Sequence, residues 1–115
     1  GGPIADGTQR MSWIHINDMV NIILFLIENK SLNGVFNATA PNPVSNNQFS
    51  ESLSETLEKP NFFRMPEFVL RLMFGEMADL LVFGQAVKPK ALQDADFKFH
   101  FPHLKPALEN ILSGR

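Results

Sequence analysis

The chain contains no cysteine, which excludes disulfides, thiolate zinc sites and cysteine nucleophiles, and fits a reducing compartment, expected here to be the cytoplasm. Tyrosine is absent as well, and tryptophan occurs once. Charge of either sign is sparse: ten Lys and Arg against twelve Asp and Glu give a formal net charge of -2. The basic residues are scattered, with Lys88-Pro89-Lys90 as their densest group. Nucleic acid demands a concentrated basic footprint, so it is not expected as a partner. The longest apolar run, residues 19–27, is interrupted by Asn21 and falls well short of the roughly 20 residues that cross a bilayer. No membrane partner is expected.

What is present is the composition of an ordinary globular domain. Of 115 residues, 44% are hydrophobic and 19% charged, which suits one compact unit with a core of its own. The opening Gly1-Gly2-Pro3-Ile4-Ala5-Asp6-Gly7 is turn-forming and lacks an initiator Met, as expected of a stretch cut from a longer protein. Residues 11–16 read as a β-strand built on Trp13, Ile14 and Ile16, stopped by Asn17-Asp18. Either of these polar residues suits a helix N-cap, so a helix is expected from there to about Asn29. That helix is apolar nearly all round, from Met19 through Ile27, and such a helix requires cover on every side. Asn33-Gly34 is a turn, and residues 35–38 read as a short strand.

Ser45 and Gln48 form a capping box that opens an amphipathic helix over 46–59, with Phe49, Leu53 and Leu57 on its apolar side. Beyond it the pattern suggests an edge strand at 62–65, a helix opened by Pro66, a short helix at 76–83 and a proline-bounded helix around Ala91. A strand at 97–99 and a last helix over 104–112, with Pro106 in its first turn, complete the chain. The fold class expected is α/β, with few short strands and several helices. It divides into a strand-helix-strand stretch at 1–44 and a helix-rich stretch at 45–115.

Three landmarks in order carry a family resemblance. The stretch Asp6-Gly7-Thr8-Gln9-Arg10-Met11-Ser12-Trp13-Ile14-His15-Ile16-Asn17-Asp18-Met19 resembles the late-chain signature of extended short-chain dehydrogenase/reductases, a D-G turn followed by an aromatic, I-H-[VI] and an acidic helix start. Gly34-Val35-Phe36-Asn37 is similar to their G-x-[YF]-N strand, and residues 45–49 to the helix start after it. Trp13-Ile14-His15-Ile16, Pro89-Lys90-Ala91-Leu92, residues 97–99, Pro102 and Ala107-Leu108 are most similar to an atypical epimerase-like group, whose C-terminal region is a domain of unknown function. The resemblance implies the C-terminal, substrate-side part of a Rossmann-type, NAD(P)-dependent nucleotide-sugar epimerase or reductase. Its implied partner is the N-terminal half that binds the dinucleotide. No cofactor is expected on this stretch alone, because Gly1-Gly2 with Gly7 is no dinucleotide turn and the superfamily's Tyr/Lys pair cannot exist without a Tyr.

Site residues follow from the same comparison. In nucleotide-sugar epimerases an Arg near the start of this strand grips substrate phosphates, a task suited to guanidinium geometry. Counting from the shared turn to the shared I-H, Met11 occupies that place, which favours a smaller or more apolar ligand. Gln9, Met11 and Trp13 are expected to border it, with Lys88 or Lys90 as replacement cations, while alternation turns Arg10 to the opposite face. His15 is expected to be a packed structural histidine, Asp18 a helix cap, Asn37 and Ser45 structural, and His100 and His103 exposed loop residues, so no metal is expected. Phe62, Phe63, Phe68, Phe74 and Phe83 read as core, with a hydrophobic pocket as the other possibility. The alternative to an enzyme part is a non-enzymatic interaction or small-ligand module, some members of the group bearing a cell-division-inhibitor label, and either reading includes self-association through the apolar helix.

Overall fold

The computed structural model describes residues 9–59, 75, 77 and 79–113. Strand β1 (Arg10–His15) leads directly into helix α1 (Ile16–Glu28). A two-residue strand, β2 (Val44–Ser45), opens helix α2 (Asn46–Leu57). Strand β3 (Leu81–Gln85), helix α3 (Lys90–Asp94) and helix α4 (Leu104–Leu112) follow. The architecture is mixed α/β, as the residue pattern implies, and its three strands are antiparallel in the order β2-β1-β3.

β1 is the middle strand, and its alternation sends neighbouring side chains to opposite faces. Trp13 enters a core formed with Leu104, Ala107, Leu108, Ile111 and Leu112 of α4 and with Leu81 of β3, against which Phe49, Leu53 and Leu57 of α2 pack. Ile14 enters a second core with Ile22, Leu92 and Phe97, joined by Met19, Phe25 and Leu26 of α1. The sheet is therefore sandwiched between α2 and α4 on one side and α1 and α3 on the other. Two exposed ion pairs, Lys59–Glu109 and Lys105–Glu55, link α2 to α4 at their rims. Pairs of this kind add little to stability.

The helix boundaries have local causes. The capping box is present: the Gln48 N–H donates to Ser45 Oγ (3.1 Å) and the Ser45 N–H to Gln48 Oε1 (2.8 Å). α3 ends where Asp96 takes φ 65° and the Phe97 N–H reaches the Leu92 carbonyl (3.0 Å). That is the wrap with a left-handed residue after the last turn that commonly closes helices, and it delivers Phe97 into the second core.

Four expectations change. Helix α1 begins earlier than the Asn17-Asp18 cap allows, because the ring of His15 is the cap. Residues 35–38 and 97–99 form no strand; a short extended stretch is a strand only where another strand pairs with it. Of the helix expected at 76–83, residues 81–83 belong to β3, since pairing with β1 along Leu81–Gln85 overrides local helical preference. The features expected at 62–65 and 66–74 lie outside the described residues.

The two kinds of stabilisation differ in size. Ser45→Ala removes one cap and is expected to cost about 1 kcal/mol, whereas Leu108→Ala opens the fully buried Trp13 core and is expected to cost about 2–5 kcal/mol. Urea unfolding of the two variants followed by circular dichroism checks this order.

Candidate functional site

β1 is committed to cores along its middle and end, which leaves its beginning for a ligand. There an open pocket of about 350 Å³ is lined by Gln9, Arg10 and Met11, by Asn46 at the start of α2, and by Gly84 and Gln85 at the end of β3. The register sets Met11 opposite Gln85. Three carboxamides, able to donate and accept, surround a thioether, and the Arg10 guanidinium adds a positive charge. The volume lies at the lower end of the range for small-molecule sites. Such a lining suits a compact ligand carrying hydroxyl or carbonyl groups.

Of the expected bordering residues, Gln9 and Met11 line this pocket. Trp13 does not: it is 1% exposed, and its indole Nε1–H donates to the Asn42 carbonyl (2.9 Å). Arg10 lines the pocket despite strand alternation. Lys88 is not among the lining residues, and its Nζ donates to the Pro41 carbonyl (3.1 Å). Lys90 pairs with Asp94 (2.8 Å), whose hydrogen bond and negative charge push the amine above its ordinary value. Asn46 and Gln85 were not anticipated. Asn46 is hidden in sequence by its ordinary place at a helix start, and Gln85 by the helical reading of the residues before it.

The far end of β1 carries a buried polar corner. The Asn17 N–H donates to His15 Nδ1 (3.0 Å), so the proton sits on Nε2 and is donated to Asn110 Oδ1 (2.8 Å). The His15 ring also stacks on Phe101 at 4.2 Å. Asp18 is completely buried, and its two carboxylate oxygens accept from the backbone N–H groups of His100 (2.8 Å) and Phe101 (2.9 Å). His15 is thus packed and structural, and Asp18 tethers a distant loop rather than capping its own helix. Asn37 donates from Nδ2 to the Lys88 carbonyl (3.3 Å). His100 and His103 are exposed. Among the described residues, no three His, Asp or Glu gather as metal ligands do, and no helix is long and apolar enough to cross a membrane. Phe83 is 42% exposed and meets Phe49 edge-on at 5.5 Å; the other four phenylalanines of its series lie outside the described residues.

Comparison with known proteins adds the family. Residues 65–111 match the domain of unknown function DUF1731. The chain is 42% identical over 113 residues to an epimerase family protein of Staphylococcus aureus (strain MRSA252), covering 98% of this chain and 38% of that protein. It is 38% identical over 112 residues to the chloroplastic epimerase family protein SDR39U1 homolog of Arabidopsis thaliana, covering 97% of this chain and 32% of that one. The crystal structure of human epimerase family protein SDR39U1 (isoform 2) with NADPH shares the fold at a TM-score of 0.69 and 31% identity, over 95% of this chain and 37% of that chain.

The chain belongs to the epimerase family. It spans little more than a third of the length of the epimerase family proteins it matches.

The buried corner is where a single atom matters. Asp18→Asn keeps the shape but turns an amide NH₂ toward one of two backbone donors, and is expected to destabilise the fold by about 1–3 kcal/mol. Urea unfolding with matched slopes measures it.

Proposed function

We propose that this chain is the C-terminal, substrate-side part of an NAD(P)-dependent epimerase or reductase and performs no hydride transfer alone. On this reading residues 1–44 close the Rossmann-type region of the intact protein and residues 45–115 form the substrate side. The observation that carries it is the human relative crystallised with NADPH, whose fold covers 95% of this chain. The intact protein then binds the dinucleotide through its other part, and the pocket at Gln9, Met11, Asn46 and Gln85 contributes to the substrate site.

Met11 bears on the substrate. A thioether gives a phosphate nothing to bind, so the reading favours a small ligand recognised through hydroxyl or carbonyl groups over a nucleotide-diphosphate sugar. Arg10 supplies a charge for one anionic group at most in that lining. Cytoplasmic placement belongs to the same proposal.

A second reading, a non-enzymatic interaction module, draws support from one observation. Val20, Ile23, Leu24 and Ile27 stand 48–60% exposed along α1, and contiguous apolar surface of this kind marks a binding face.

Calorimetric titration of the intact protein with NADPH and with NADH decides between the two. Saturable binding of at least one is expected, and no binding of either removes the enzyme reading. With small carbonyl compounds as substrates, Met11→Trp is expected to slow NADPH oxidation by more than about tenfold by filling the pocket, leaving NADPH affinity unchanged.

A further inference from the structure

The stretch after α1 has the residues of a strand and no sheet to join. Val35 and Phe36 follow the Asn33-Gly34 turn, where Gly34 takes φ 98°, yet residues 34–38 form no strand. β1 has no vacancy for them. β3 pairs along one of its edges, and β2 together with the Ala40 N–H donating to the Trp13 carbonyl (2.8 Å) occupies the other. Among the described residues, the backbone bond that engages the stretch is a local one, from the Thr39 N–H to the Asn37 carbonyl (3.0 Å).

The side chains nevertheless alternate as in a strand. Phe36 and Ala38 pack on the Ile14 core, whereas Val35 and Asn37 are exposed, Val35 by 87%. A strand with bulky apolar residues on both faces is the kind that lies in a sheet covered on both sides. Val35 has no such cover here. The same holds for α1. Met19, Ile22, Phe25 and Leu26 share the core with Phe36 and Ala38, which fixes helix and stretch to one another. The remaining apolar residues, Val20, Ile23, Leu24 and Ile27, fall at i, i+3, i+4 and i+7, a single stripe left in solvent.

We propose that residues 34–38 are one strand of a second sheet whose other strands belong to the dinucleotide-binding part of the intact protein, and that this part also covers the α1 stripe. The identity of the occupant rests on the function proposed above. Its size is supplied by the relatives, since this chain spans 38% of the Staphylococcus aureus protein, and the remainder is ample for a domain with its own sheet. Strand addition satisfies the free backbone of 34–38, as pairing at a sheet edge does generally, while a layer over Val35 and the stripe removes aliphatic surface from water.

Hydrogen exchange on the intact protein tests the strand. Amides within 35–38 are expected to exchange at least about a hundredfold more slowly than in an unstructured peptide, and exchange at the unstructured rate overturns the proposal. Thiol labelling tests the stripe: in the intact protein Leu24→Cys is expected to react at least about tenfold more slowly than Lys98→Cys, an exposed position, and to stay slow on dilution. Equal rates overturn it, as does protection lost on dilution, which identifies a second copy as the occupant. NADPH titration of the same preparation separates the two claims. Protection without nucleotide binding leaves the docking surface standing and removes the cofactor reading, and binding without protection does the reverse.

Discussion

Burial of β1 on both faces is the constraint from which the rest of the structure follows. Trp13 and Ile14 are adjacent in the chain and lie in different cores, so one six-residue strand holds both helical layers. Apolar contacts alone leave register free to slip, and slipping by one residue would exchange the two faces. The polar corner prevents this. His15 ends the strand by capping α1 and binding Asn110, and Asp18 takes the backbone donors of His100 and Phe101. Both groups are buried, so losing a partner leaves an unsatisfied donor or acceptor away from water. These bonds join residues 82 to 95 positions apart, which makes the C-terminal tail part of the β1 corner rather than an appendage.

The position of the pocket is a consequence. Side chains at 12–15 are all buried, and only the first residues of β1 remain available to a ligand. There the sheet ends against the start of α2, and residues from three elements converge. The site is therefore set by topology, while its chemistry is set by a few exchangeable side chains. Changing Met11 or Gln85 alters what is recognised with little effect on the cores, which is how one fold comes to serve different substrates.

How far the sequence could be read depended on whether the signal was local. The capping box at Ser45 and Gln48, the proline in the first turn of α4 and the strand at Trp13-Ile14 are local, and they stand where the residues place them. β3 was not legible, because Leu81-Val82-Phe83 suits a helix as well as a strand and only the distant partner β1 decides. Gln85 disappeared from the expected site with it. Trp13 was misplaced for a related reason: aromatic residues near a ligand-binding turn and aromatic residues in a core look alike until the face of the strand is known. The cap of α1 was misread because an imidazole nitrogen replaced the usual carboxylate or amide, releasing Asp18 for a tether that no sequence spacing reveals.

The helix α1 shows why composition sometimes carries more than periodicity. α2 faces one core, and its other side holds Ser50, Glu51, Ser54 and Glu55, so its pattern closes on itself. α1 faces one core with Met19, Ile22, Phe25 and Leu26 and then presents a second stripe of aliphatics to water. Each of those side chains forgoes on the order of 1 kcal/mol by remaining half exposed, so the set amounts to a sizeable part of the stability of a small domain. Folding of this unit alone cannot account for the second stripe, since polar residues there would serve it better. Both the stripe and Val35 are explained together by packing partners on two sides, of which this chain supplies one.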